Sequence, residues 1–79
     1  MTGIAERLSQ ARGARGLSRR ALSLRAGLAQ AVVGQIERGD VTSPALETVS
    51  KLAVALEVSL DWLVTGAGEG PDTPIAKAS

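Results

Sequence analysis

The sequence predicts a single all-α domain, because apolar residues recur at helical spacing and turn-forming residues divide them into short segments. The clearest segment is residues 17–39, where the apolar positions suit two short helices folded against each other over one glycine. The sequence has neither an alternating strand pattern nor an internal repeat. With 79 residues, the chain is long enough for one small core and too short for a second domain.

The first three helices are predicted from apolar spacing and from the residues that begin and end them. Ile4, Leu8 and Ala11 fall on one helical face, which places helix one at about residues 3–13. Ser18 is expected to cap helix two, because its hydroxyl can accept a hydrogen bond from an amide of the first turn. Gly27 ends that helix, since glycine reaches positive φ at little cost. Helix three is then predicted at about residues 30–38.

Two further helices are predicted in the second half of the chain. Ser43 and Pro44 suit the cap and first residue of helix four, which should run to about residue 57. Its buried face is predicted to consist of Leu46, Val49, Leu52, Ala53 and Leu56. Ser59 should cap a short helix five, and Trp62 should fill part of the core. Residues 66–79 are rich in glycine, proline and small polar residues, so we predict a domain over residues 1–65 followed by a flexible tail.

Charge is distributed unevenly along the chain. Residues 1–40 carry seven arginines against three carboxylates, whereas residues 41–79 carry two lysines against five carboxylates. The net charge of the whole chain is only +1. This asymmetry favours a face that binds a polyanion, although arginines on a solvated helix surface produce the same pattern.

Catalysis is not expected, because the chain lacks the residue types that most active sites need. It contains no histidine and no cysteine, so its serines have no imidazole to activate them and the usual transition-metal ligands are missing. We therefore predict a protein that is not an enzyme and binds neither a metal nor a cofactor. With no apolar stretch of membrane-spanning length and no signal-peptide pattern, we expect a cytoplasmic protein that does not bind membranes.

Helix three is a candidate for DNA recognition, because a short helix held at an angle by its predecessor fits the major groove of B-DNA. Gln30, Ala31, Gly34, Gln35 and Arg38 are predicted to face away from the core. The two glutamine amides can donate and accept together, as recognition of adenine requires. Positive charge and free amides at the start of helix two favour a phosphate.

Residues 4–66 resemble the phage-repressor and Cro-like helix-turn-helix family, also called the xenobiotic response element family. The resemblance is carried by RGLSRRAL, RAGL, IERG and ALETVSKLAVALEVSLDWLVTG, which occur in the family's order and spacing. It implies a compact, five-helix, lambda-repressor-like domain with the helix-turn-helix at helices two and three. It also implies a transcriptional regulator, with repression favoured, that binds a double-stranded operator, often as a homodimer.

The resemblance implies that Gln30 and Gln35 enter the major groove, that Arg19 meets a phosphate and that Arg12 pairs with Glu37, and the chemistry of neighbouring side chains completes the candidate sets. The base-reading set is Gln30, Ala31, Val32 and Gln35, and the phosphate-contacting set is Ser18, Arg19, Arg20 and Arg38. A structural ion pair is expected between Arg12 and Glu37.

The chain departs from the family pattern at the start of helix three. Ala29 stands where a capping Ser or Thr is usual, and Gly34 costs the helix about 1 kcal/mol relative to alanine. The remaining apolar surface leaves open an alternative, in which the same fold is a protein-interaction module such as an antitoxin or a regulator subunit. That alternative predicts a protein partner in place of DNA.

Overall fold

The computed structural model describes residues 3–71, and five helices account for most of that range. The helices are α1 (Ile4–Ala14), α2 (Arg19–Arg25), α3 (Val32–Glu37), α4 (Leu46–Leu56) and α5 (Leu60–Thr65). Residues 3–71 contain no strand, so the predicted all-α class and the five-helix order are confirmed. None of these helices is long and apolar enough to cross a membrane.

The core is built from all five helices. The buried apolar residues in the described part of the chain are Leu8, Ala11, Leu22, Val33, Ile36, Val49, Leu52, Ala53, Leu56 and Leu63. Trp62 is partly buried against this cluster, as predicted. The predicted buried face of α4 is wrong at Leu46, which is 68% exposed because it lies in the first turn of α4, beyond the edge of the core.

The predicted start of α4 is also wrong. The helix begins at Leu46, and Ala45 precedes it in an extended conformation with φ −60° and ψ 147°. Pro44 instead lines a groove beside Ile4 and Val64. The Val49 amide donates to the Ala45 carbonyl at 3.0 Å, so the first turn follows Ala45 and not the serine and proline before it.

The predicted caps of α2 and α5 are confirmed. The Ser18 hydroxyl accepts a hydrogen bond from the Ala21 amide at 3.0 Å, and the Ser59 hydroxyl accepts one from the Trp62 amide at 2.9 Å. Gly27 follows α2 with a φ of +75°, as predicted for the residue that ends this helix.

Helix α3 is shorter than the predicted range of residues 30–38. It covers Val32–Glu37, and residues 29–31 form a separate turn in which the Val32 amide donates to the Ala29 carbonyl at 3.1 Å. Since neither Ala29 nor Ala31 has a side-chain oxygen, no local residue can hold the first amides of a longer helix. Gln30 therefore precedes α3 and does not belong to it.

Ser23 of α2 supplies the oxygen that the start of α3 lacks. Its side chain is fully buried, and its hydroxyl accepts a hydrogen bond from the Val33 amide at 3.0 Å. The same hydroxyl donates to the Arg19 carbonyl at 2.9 Å. Helix α2 thus caps α3 through space, which fixes the angle between the two helices.

An arginine within α1 and the arginine that follows it bind the ends of other helices. The Arg7 Nε atom donates to the Leu63 carbonyl at 2.9 Å, in the last turn of α5. The Arg15 Nε atom donates to the Leu56 carbonyl at 2.7 Å, at the end of α4. Carbonyls in the last turn of a helix have no partner within the helix, so these guanidinium groups satisfy them.

The chain after α5 folds back over that helix. The Ser59 amide donates to the Glu69 carbonyl at 2.8 Å, and Gly70 is buried against the indole of Trp62. A Cβ atom on Gly70 would lie 2.5 Å from the indole Nε1 atom, so only glycine fits there. The part of the predicted tail at residues 66–70 is therefore packed on the domain, and residues 72–79 lie outside the described residues.

We predict that Ser23→Ala lowers the free energy of unfolding by about 1–3 kcal/mol, because the substitution leaves the buried Val33 amide without its partner. Denaturant unfolding followed by the fluorescence of Trp62 measures this change. Ser50→Ala on α4 is the matched control and should change the free energy by less than about 0.5 kcal/mol. Equal stability of the two variants would contradict the capping role of Ser23.

Candidate nucleic-acid interface

The candidate interface is the outward surface of α3 and of the turn before it. Gln30, Ala31 and Gln35 are exposed there, as the sequence predicts. Val32 is only half exposed and packs against the core, so little of its side chain is available for an apolar contact with a ligand. The two glutamine amides are thus presented from different local structures, one from the turn and one from the helix.

A cluster of three charged side chains lies at the edge of this surface. The Glu37 side chain is only 3% exposed, and the Arg12 Nε atom lies 2.8 Å from its Oε2 atom. The Arg12 Nη2 atom also donates to Glu37 Oε1 at 3.2 Å, so the guanidinium binds both carboxylate oxygens. The expected pair between Arg12 and Glu37 is therefore present in the structure.

Arg19 is the third member of this cluster. Its Nε atom donates to Glu37 Oε1 at 2.9 Å, while its side chain remains 52% exposed. Two guanidinium groups against one carboxylate leave the cluster with a net charge of +1. The Glu37 carboxylate therefore positions Arg19 without cancelling the positive charge at this edge.

The start of α2 carries the other predicted phosphate-contacting residues. Ser18 and Arg20 are both exposed beside Arg19. The Ser18 hydroxyl oxygen is already the acceptor for the Ala21 amide, so only its proton is available to a ligand. Arg20 lies in the first turn of α2 and adds a further positive charge.

Arg38 follows the last residue of α3, and its guanidinium group reaches back over Gly34, where the Arg19 side chain also lies. The Arg38 Nε and Nη2 atoms each lie 3.2 Å from Asp40 Oδ2. Its Nη1 atom lies over Gly34, only 2.9 Å from the point where a Cβ atom of residue 34 would stand. Gly34 is consequently buried, although the sequence predicts that it faces away from the core.

The arginines of residues 1–40 have two different roles, which the distribution of charge along the sequence does not distinguish. Arg7, Arg12 and Arg15 bind carbonyls or Glu37 within the fold. Arg7 and Arg15 lie four residues on either side of the buried Ala11, on the same stripe of α1. The spacing of these arginines around Ala11 in the sequence therefore indicates that both side chains face the domain.

Comparison with known proteins places the fold among helix-turn-helix domains. A helix-turn-helix family profile matches residues 8–63. The N-terminal DNA-binding domain of SinR from Bacillus subtilis is 33% identical, with a TM-score of 0.72, and the match covers 76% of this chain and 87% of that chain. The restriction-modification controller protein C.AhdI from Aeromonas hydrophila is 37% identical, with a TM-score of 0.71, over 76% of this chain and 89% of that chain.

The P22 c2 repressor, in a structure with a synthetic operator, is a further similar protein. It is 27% identical to this chain with a TM-score of 0.77, and the match covers 85% of this chain and 100% of that chain. The residues 8–63 that match the family profile include α2 and α3.

We expect Arg12→Ala to lower the free energy of unfolding by about 2–3 kcal/mol, because it removes charged hydrogen bonds from the nearly buried Glu37. Arg25→Ala, at the exposed end of α2, is the control and should change the free energy by less than about 0.5 kcal/mol. Thermal and denaturant unfolding would measure both variants. Indistinguishable stabilities would show that the Glu37 cluster does not hold the helices together.

Proposed function

Because this chain belongs to the Cro/C1-type helix-turn-helix family, we propose that it is a DNA-binding transcriptional regulator that reads the major groove with α3 and represses its target. The observation that carries this proposal is the surface of α3 and of the turn before it, where two glutamines are exposed and two exposed arginines, Arg19 and Arg38, lie beside Gly34. The similarity to a repressor whose structure includes an operator supports both DNA binding and repression.

Gln30 and Gln35 are the proposed base-reading residues. An amide side chain can pair with adenine through N6 and N7 in the major groove. The exposed methyl group of Ala31 can pack against a thymine methyl, and the half-buried Val32 contributes a smaller apolar contact. Together these contacts favour an operator half-site with A·T pairs near its centre.

Arg19 and Arg20 are the proposed phosphate-contacting residues, with the Ser18 proton as a further donor. Phosphate contacts fix the register of a protein on the duplex and make its affinity depend on salt. The bond to Glu37 holds Arg19 at the edge of the interface, so its charge is in place before DNA arrives. Less side-chain entropy is then lost on binding.

We predict different effects for a base-reading and a phosphate-contacting substitution. Gln35→Ala should reduce discrimination at one base pair by about 1–3 kcal/mol. Arg20→Ala should weaken binding to all sequences alike and reduce the salt slope by about one unit. Fluorescence anisotropy with a duplex selected from a random pool, and with random duplex, measures both effects across a salt series.

Lys51→Ala is the control for these measurements, because Lys51 lies on α4 and pairs with Glu47. It should change neither the discrimination nor the salt slope. If the wild-type chain bound no duplex at low salt, the DNA-binding proposal would be wrong. The same surface would then be a site for a protein partner.

We also propose that the repressor binds its operator as a homodimer, with recognition helices about 34 Å apart to match one turn of DNA. Two of the largest exposed apolar side chains, Leu46 and Val64, line one groove together with Ile4 and Pro44. Burying this groove against a second copy would remove its apolar surface from water. The proposed dimer interface is therefore this groove, between the start of α4 and the end of α5.

Val64→Asp should convert the dimer to a monomer, because it places a carboxylate in the apolar groove. Size-exclusion chromatography with light scattering measures the mass.

A reporter gene that carries the selected operator in its promoter should be repressed by the wild-type chain and released from repression by the Val64→Asp variant. Val54→Asp is the control, since Val54 is 78% exposed and lies outside the groove. A dimeric Val64→Asp would contradict the assigned surface, and a reporter activated by the wild-type chain would contradict repression.

A further inference from the structure

A glycine at the middle of α3 is covered by an arginine from the end of the same helix. Gly34 is buried, and the Arg38 guanidinium lies over it. The Arg38 Nη1 atom is 2.9 Å from the point where a Cβ atom of residue 34 would stand. A side chain at position 34 would therefore occupy the space that this guanidinium now fills.

Helix geometry explains how Arg38 reaches this position. Residues four apart lie on the same face of a helix, and long side chains point back towards its N-terminus. The Arg38 side chain therefore runs from the end of α3 towards its centre. The Arg19 Cδ atom lies 3.8 Å from the same point over Gly34, so Arg19 closes the other side.

Asp40 holds the orientation of the guanidinium plane. Its Oδ2 atom contacts both the Nε and the Nη2 atoms of Arg38 at 3.2 Å. The contact uses one edge of the guanidinium and leaves Nη1 directed over Gly34. The Arg38 side chain remains 54% exposed, so a ligand can reach it in this orientation.

We propose that Arg38 is a specificity-determining residue that recognises a guanine in the operator, in place of the phosphate contact that the sequence predicts. This inference rests on the proposed major-groove function of α3. An arginine specifies guanine by donating to O6 and N7 from one planar fork, and the Arg38 guanidinium lies over Gly34, in the middle of the helix that is proposed to enter the groove. A phosphate contact needs only a positive charge at the margin of the interface.

Gly34 supports this assignment because glycine lowers the stability of a helix at an interior position. Glycine is the least favourable residue in a helix interior apart from proline. Gly34 has a helical conformation that alanine could also adopt, so the backbone does not require it. A Cβ atom at position 34 would displace the Arg38 guanidinium, so glycine leaves that space to the arginine.

Three variants test the assignment by competition between duplexes that differ at single base pairs. In the wild-type chain, one G·C pair in each half-site should be preferred by roughly ten- to a hundredfold over the alternatives. Arg38→Ala should abolish that preference and leave the preferences at other pairs intact. Arg38→Lys should also abolish it, because the ammonium group keeps the charge but lacks the planar fork.

Gly34→Ala provides an independent test that leaves Arg38 itself unchanged. The added methyl group should displace the guanidinium and reduce the same G·C preference at least fivefold. The denaturation midpoint should not fall, because alanine favours the helix and the displaced atom is the end of a flexible side chain. A loss of DNA selectivity in an equally stable variant cannot be attributed to misfolding.

Two results would overturn the proposal, and they are distinguishable. If Arg38→Ala weakened all duplexes equally and Arg38→Lys restored the affinity, Arg38 would be a phosphate-contacting residue and the proposed function would still hold. If the wild-type chain bound no duplex at low salt, both the proposed function and the role of Arg38 would be wrong.

Discussion

The geometry of the candidate interface depends on the nearly buried carboxylate of Glu37. An ionised carboxylate in this environment is strongly unfavourable unless cations and hydrogen bonds compensate it. Arg12 approaches from α1 and Arg19 from α2, so one carboxylate links three helices. Because ion pairs of this kind are sensitive to distance and direction, the cluster restricts the position of α3 more narrowly than apolar packing alone would.

Helix α1 has a supporting role that extends beyond this cluster. Arg7 within it and Arg15 directly after it bind the last carbonyls of α5 and α4, and its apolar face contributes Leu8 and Ala11 to the core. In a chain of 79 residues the apolar core is small. Charged hydrogen bonds to helix ends therefore provide connections that a larger protein would obtain from additional apolar contacts. Because these arginines are bound within the fold, their positive charge does not contribute to the candidate interface.

The sequence predicts the order of the helices, the caps at Ser18 and Ser59 and most of the core, because those features depend on local pattern. It does not predict where α3 and α4 begin. The start of α3 depends on a contact between distant residues, the bond from the Val33 amide to the Ser23 hydroxyl, and at α4 the extended Ala45 separates Pro44 from the helix. The candidate site was predictable by residue type and only partly by position. Gln35 is exposed as expected, whereas Arg38 lies over Gly34 through a side-chain path that spacing does not specify.

The cap that α2 provides to α3 has a consequence for how this domain could change its target. Since the Ser23 hydroxyl binds the Val33 amide in the first turn of α3, the side chains of residues 29–31 are not needed to cap this helix. These three positions can accept new side chains without loss of the bond that starts the helix. If these positions contact DNA as proposed, folding and recognition depend on separate residues at this point. New operator preferences can arise there by single substitutions whose cost in stability is small.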